Sequence, residues 1–340
     1  MRSWHDNWQE VFPKKIRETV LATLPKQHRL EELTRFYQLL GDYPHRTGKV
    51  LRGQLLLLST TAHGGRWRHA LTVAAALELF QNWVLIHDDI EDASEERRGS
   101  PTLHKLAGIP LALNAGDALH VYMWDLLLTP PVQTLPRADE ILREFVWMIH
   151  RTAEGQHLDL SWIDEKRFDI SEEAYLEMVT LKTAFYTVAC PLRMGALCAD
   201  QEPSEDLWKA GRELGVAFQI RDDVLNLSPG ISYGKEFAGD LYEGKRTLIL
   251  VHLFAHATAD EKTELSERLG RSRSLKRPED IERILELIER YDSLTYAQKV
   301  ADNKAKAGLR QLREVAADFP EKRASATLIG LLQTLSHRNK

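Results

Sequence analysis

The sequence predicts an all-α fold, a bundle of long helices, on three observations. Apolar residues recur at every third or fourth position through nearly every segment, as the core-facing stripe of a helix requires. No convincing run alternates apolar and polar side chains in the manner of a half-buried strand. Proline and glycine gather in clusters between the periodic stretches and leave the stretches themselves largely uninterrupted.

In chain order, Trp4, Trp8, Val11, Phe12 and Ile16 lie along one stripe of an N-terminal helix that docks on the core. Long helical patterns follow over Lys49 to Ala62, Arg68 to Ala93, Leu111 to Leu128, Ala138 to Trp162, Ser171 to Leu197 and Glu205 to Leu227. The segments TPPVQTLP (Thr129 to Pro136) and LSPGISYGKEFAG (Leu227 to Gly239) cannot continue a helix and read as loops, the second long enough to suggest function. From Ala259 onward the chain is more charged and reads as shorter amphipathic helices, among them Pro278 to Tyr291 and Ser293 to Phe319. No low-complexity linker or internal repeat divides it, so residues 1–340 read as one domain.

Composition narrows the function. With 28% charged residues and a net charge of -5, the chain carries no basic field of the kind that nucleic-acid binding needs. Its two cysteines, Cys190 and Cys198, have no metal-ligand spacing and read as buried thiols in a reducing compartment. No signal peptide and no apolar stretch of about eighteen residues is found, so the expected location is cytoplasmic.

The chemistry concentrates in two acidic clusters, each at the end of a long helical pattern. In LIHDDIEDASEERRG, four carboxylates occupy five positions, Asp88 to Asp92, and two adjacent arginines follow at Arg97 and Arg98. Helical spacing puts Asp88 and Asp92 on one face, one turn apart, where they can share a cation. Mg²⁺ suits such a pair, because it binds through one or two carboxylates, waters and substrate phosphates instead of a full protein cage. Asp89 points away and can orient the ligands from behind, while Glu91 reads as solvated. Acids at a helix C-terminus oppose the helix dipole, a placement that costs stability and so argues for function.

The second cluster, FQIRDDVLNLSPGISYGKEFAGDLYEGKRTLI, repeats the design: Asp222 and Asn226 share a face, and Gln219 precedes Asp222 by one turn. Lys235, Asp240 and Lys245 follow, and lysines there can meet phosphate oxygens as mobile point charges. Two such ends facing each other across a cavity would bind several Mg²⁺ ions around one diphosphate.

These residues resemble the trans-isoprenyl diphosphate synthases, the polyprenyl synthetase family. The match spans Gly48 to Thr247 through GKVLR (Gly48 to Arg52), DDIED (Asp88 to Asp92), RRGSPTLH (Arg97 to His104), LKT (Leu181 to Thr183), FQIRDD (Phe218 to Asp223) and GKEFAGDLYEGKRT (Gly234 to Thr247). The resemblance implies the all-α isoprenoid synthase fold, with helices around a central active-site cavity, and a homodimer. It implies head-to-tail condensation of isopentenyl diphosphate with an allylic diphosphate, with about three Mg²⁺ ions at the allylic group. Asp88, Asp92 and Asp222 would be the metal ligands. Arg97, Lys182, Thr183, Gln219 and Lys235 would bind the allylic diphosphate, supported by Asp89, Asp223, Asn226, Asp240 and Lys245. Lys49, Arg52, Gln81 and Arg98 would hold the isopentenyl diphosphate without metal, and the released diphosphate would take up the proton lost in coupling.

Three positions depart from the common family pattern: Val50 where an arginine is usual, Gly53 where proline is frequent, and Asn226 where the second motif usually ends in aspartate. Product length is expected to follow from Trp83 and Val84. Trp83 lies one and a half turns before Asp88, about 7.5 Å down the helix, and a single aromatic there is similar to several twenty-carbon enzymes. The expected product is therefore geranylgeranyl diphosphate, with farnesyl diphosphate as the alternative. A terpene cyclase would need no second diphosphate site, and a non-catalytic synthase subunit would be expected to lose ligands that stand here.

Overall fold

The computed structural model describes residues 4–46, 48–228 and 236–336. Helix α1 (Trp4–Thr23) and helix α2 (Glu31–His45) precede α3 (Leu51–Ala62) and α4 (Leu71–Glu91). Phe12 and Ile16 of the N-terminal stripe are fully buried, and Trp8 and Val11 pack against the same core. The pattern in α2 is broken near its end by Gly41 and Pro44, and the sequence reading passed over it. Its Tyr43 proves important for the site below.

After α4 comes a feature that the all-α expectation did not contain. Glu96–Arg97 and Ser100–Pro101 form a two-stranded antiparallel hairpin, with Arg97 paired to Ser100. Arg98 and Gly99 make its turn with φ of 55° and 72°, the doubly positive backbone of a tight hairpin, which glycine adopts without strain. Strands of two residues are too short to show alternation in a sequence.

The chain continues through α5 (Leu103–Ala107), α6 (Ile109–Leu127), the short α7 (Pro130–Gln133) and α8 (Ala138–Asp164). The expected helix from Ser171 to Leu197 is three pieces: α9 (Glu172–Val179), a π-helical segment (Thr180–Ala189) and α10 (Cys190–Cys198). Helix α11 (Glu205–Asn226) and the short α12 (Gly239–Glu243) flank the long loop, most of which, with Lys235, lies outside the described residues. Then come α13 (Leu248–His256), α14 (Ala259–Leu269), α15 (Pro278–Arg290), α16 (Ser293–Ala316) and α17 (Lys322–Ser336).

Two buried apolar clusters stabilise the bundle, one centred on α1, α3, α4 and α6 and the other on α9, α11, α13 and α15. The π segment is gripped between α8 and α11 by glycines. A Cβ on Gly155 would lie 2.1 Å from the Lys182 amide nitrogen, and one on Gly215 would lie 2.5 Å from Ala184 Cα. These backbone-to-backbone contacts fix the widened turn that carries Lys182 and Thr183, and such π segments often mark functional positions. Among the described residues, no helix is long and apolar enough to cross a membrane.

Candidate active site

Helices α3, α4, α8, α9 and α11, the hairpin turn and the π segment enclose a cavity of about 990 Å³. The last turn of α4 brings Asp88 to it and the last turn of α11 brings Asp222, so the two acidic helix ends do meet across one space. Lys49, Arg52, Gln81, Arg97, Arg98, Lys182, Thr183, Gln219, Asp223, Asn226, Asp240 and Lys245 also line it. Phe80, Trp83 and Val84 give it an apolar flank.

Cations offset the acids that oppose the α4 dipole. Lys182 Nζ lies 3.5 Å from Asp88 and Arg97 lies 3.6 Å from it, and Lys245 Nζ lies 2.5 Å from Asp92. Asp92 is buried against Lys245 instead of bordering the cavity. Burial, with Asp88 close by, pushes its carboxyl up to about 7. Lys182 also donates to Asp159 at 2.5 Å, a buried carboxylate on α8 that the sequence reading missed. Burial works against both ammonium groups, yet Asp159 and Asp88 around Lys182, and Asp92 and Asp88 around Lys245, hold them above the ordinary lysine range.

Glu91 is exposed, as expected, at the rim of the cavity, where it accepts from Gln156 on α8 at 2.6 Å. Asp89 points away as expected: it is fully buried, accepts the Tyr43 hydroxyl at 2.5 Å and takes a fork of bonds from Arg97. Arg97 is thereby held rigidly at the cavity wall.

The hairpin separates the paired arginines. Arg97, in the strand, turns to Asp89, while Arg98, in the turn, donates to the Tyr43 carbonyl at 3.0 Å. Arg52 donates to Thr187 Oγ1 at 2.9 Å and stacks on the Tyr186 ring at 4.5 Å. Gln81 is buried, and its Oε1 has no hydrogen-bond partner among the described residues.

At the second cluster, Asp223 stands behind Asp222 and accepts from Tyr175 and from Gln219, each at 2.8 Å. Burial, with Asp240 beside it, raises Asp223 to about 8. Asn226 Oδ1 accepts the Asp240 backbone N–H at 3.1 Å and ties α12 to the end of α11.

A pH dependence follows. Asp92 and Asp223 hold their protons more firmly folded than unfolded, so their contribution to stability is complete below the ordinary carboxylate range and is lost as pH rises through about 7 and about 8. In a chelating buffer, thermal unfolding is therefore expected at a higher temperature at pH ~6 than at pH ~9. The opposite order would contradict the two raised carboxyls.

Among the described residues no three acidic, histidine or cysteine side chains converge into a ready-made metal cage. The donor set nevertheless fits Mg²⁺, which needs only one or two carboxylates beside water and phosphate oxygens, and Asp88 and Asp222 face the same cavity.

An all-α bundle with two acidic helix ends and two sets of basic groups around one cavity defines a class: enzymes that ionise or join diphosphate esters. A polyprenyl synthetase family model matches residues 34–288. The geranylgeranyl diphosphate synthase of Saccharolobus solfataricus is 35% identical over 300 residues, covering 86% of this chain and 87% of that one. The crystal structure of the Pyrococcus horikoshii geranylgeranyl pyrophosphate synthetase superposes with a TM-score of 0.83 at 29% identity, covering 98% of both chains. A geranylgeranyl pyrophosphate synthase from Corynebacterium glutamicum, solved with isoprenyl diphosphate and magnesium, gives 0.83 at 27% identity, covering 97% of this chain and 99% of that one. The chain belongs to the polyprenyl synthetase family and is a prenyltransferase.

Proposed function

We propose that this prenyltransferase couples isopentenyl diphosphate head to tail to an allylic diphosphate, depends on Mg²⁺, and stops at the twenty-carbon geranylgeranyl diphosphate. The observation that carries the reading is the lining of one cavity, which joins Asp88 and Asp222 with a second, basic and polar set, Lys49, Arg52, Gln81 and Arg98. A cyclase has no use for the second set.

Asp88 and Asp222 would hold the metal, joined by Asp92 once it exchanges its contact with Lys245 for the cation, and the metal would supply charge neutralisation for the departing diphosphate. Arg97, Lys182, Thr183 and Gln219 orient that group, with Asp89, Asp159 and Asp223 fixing the side chains that do so. The basic set orients the second substrate, whose diphosphate stays attached, so position is all it requires. The apolar flank excludes water from the allylic cation.

Trp83 would form the tunnel floor. Its ring stacks on His120 of α6 at 4.0 Å, and the Trp124 indole N–H donates to His120 Nε2 at 2.9 Å. Burial lowers the His120 pKa and so favours the uncharged ring against Trp83. Trp83→Ala is expected to lengthen the product beyond twenty carbons, measured by chromatography of the dephosphorylated alcohols, and an unchanged distribution would remove Trp83 from the floor.

We also read residues 1–340 as one domain acting as a homodimer. In support, both apolar clusters border the cavity, and α6 leaves Ile109, Leu113 and Val121 exposed along one side. The test of the whole reading is product analysis after incubation with labelled isopentenyl diphosphate and dimethylallyl, geranyl or farnesyl diphosphate. A twenty-carbon product confirms it, a fifteen-carbon end point makes the chain a farnesyl diphosphate synthase, and no incorporation overturns the coupling reaction.

A further inference from the structure

One carboxylate in the cavity wall has no part in holding metal. Glu78 stands in the otherwise apolar run AAALELF of α4, is 6% exposed, and borders the cavity beside Arg52, Gln81 and Arg98. A lone buried acid in such a run needs partners. The first is the Gly53 backbone N–H, which donates to Glu78 Oε1 at 2.9 Å. Gly53 lies in the first turn of α3, where the preceding Val50 has φ of 48° and no side chain caps the helix. Glu78 thus satisfies, from a neighbouring helix, a donor that α3 leaves open.

Gly53 makes the approach possible. A Cβ at that position would lie 2.8 Å from Ile16 Cδ1 and 3.3 Å from the Ala74 carbonyl oxygen, so α3 and α4 meet there almost backbone to backbone. Proline would also remove the N–H that Glu78 accepts.

The guanidinium groups of Arg52, the residue next to Gly53, and of Arg98 share the cavity wall with Glu78 and act on it through charge at longer range, without an ion pair. Burial raises the Glu78 pKa, and Arg52 is the strongest influence opposing it; Glu78 in turn supports the charge of Arg98 against burial. Both arginines have further anchors, at Thr187, the Tyr186 ring and the Tyr43 carbonyl. Loss of the Glu78 charge alone therefore need not release them.

A negative charge in the wall of an anion site lowers its affinity. That has a use in a coupling enzyme. The homoallylic diphosphate remains on the product, so it begins its life as product in the metal-free site and must leave that site before release or another addition. A site built only of arginines and lysine would retain it.

We propose that Glu78 tunes the homoallylic diphosphate site: one oxygen fixes the N-terminus of α3, and its charge offsets Arg52 and Arg98 so that the diphosphate is oriented but not trapped. This rests on the reading of Lys49, Arg52, Gln81 and Arg98 as that site. Glu78 acts through the arginines and the α3 backbone, so it is a positioning residue.

The test is calorimetric titration of isopentenyl diphosphate into the full-length protein in a chelating buffer, for the wild type and variants. Glu78→Gln keeps an oxygen for the Gly53 N–H and removes the charge; it is expected to bind about five-fold more tightly and to turn over more slowly in steady state. Glu78→Ala removes oxygen and charge together and is expected to bind more weakly than Glu78→Gln. Glu78→Asp draws the charge back by one methylene and should tighten binding by a smaller factor, which decides the matter if the glutamine variant does not fold. A folded Glu78→Gln protein, or in its absence a folded Glu78→Asp protein, that binds no more tightly than the wild type overturns the proposal. Arg52→Gln serves as the separate control. If it leaves isopentenyl diphosphate binding unchanged, the assignment of the site fails; if it weakens binding while Glu78→Gln does not strengthen it, only the role of Glu78 fails.

Discussion

Asp88→Asn and Asp222→Asn are each expected to lower kcat about 10³-fold while the fold and isopentenyl diphosphate binding persist. The two side chains sit at the ends of α4 and α11 and reach one cavity, and asparagine preserves their shape while removing the charge a cation needs. Lys182 lies 3.5 Å from Asp88 but donates its short bond to Asp159, at 2.5 Å. Asp223→Asn makes a useful contrast, since that residue holds Tyr175 and Gln219 from behind Asp222; its loss should cost less in kcat. Steady-state kinetics at saturating Mg²⁺ check the order. A kcat within about ten-fold of wild type for Asp88→Asn would remove it from the metal-binding set.

Gly155→Ala is expected to destabilise the protein by about 3 kcal/mol or more and to abolish most activity, although Gly155 touches no substrate. A Cβ there would lie 2.1 Å from the Lys182 amide nitrogen and 2.5 Å from its Cα. No flexible side chain can yield, so α8 or the π segment must move. Lys182 and Thr183 move with the segment, and Asp159 with the helix. The same substitution at Gly330, in α17, meets nothing within 4 Å and is expected to stabilise by about 0.5 to 1 kcal/mol, as alanine does in an open helical position. Thermal unfolding distinguishes the two. Equal midpoints for both variants would show that the α8 contact is not as tight as described.

The acidic helix ends, the paired arginines and the helical class were legible because each depends on spacing within one segment. Asp88 and Asp222 could be paired from two repeats of one local design. What was hidden depended on contacts between segments. Asp159 and Glu78 each show as an acid among apolar neighbours, a signal that could have been read, but their partners Lys182, Gly53 and Arg52 are distant in sequence. The π segment is imposed by Gly155 and Gly215 on helices to either side, and nothing within residues 180–189 announces it. Glu91 is exposed as read, but its partner Gln156 comes from 65 positions away on α8 and could not be seen. Asn226 was read as a support of the allylic site, and the partner it holds, the Asp240 backbone N–H of α12, lies 14 residues away across the long loop.

The central claim is that one cavity holds two diphosphates by two different means, one through carboxylates and metal and the other through basic side chains alone. The most direct measurement is calorimetric titration of the full-length protein with isopentenyl diphosphate and, separately, with an unreactive thiolo analogue of an allylic diphosphate, each with Mg²⁺ and with chelator. The account predicts that isopentenyl diphosphate binds in both buffers, that the analogue binds only with Mg²⁺, and that neither displaces the other. Competition between the two, or an equal need for metal, would contradict it.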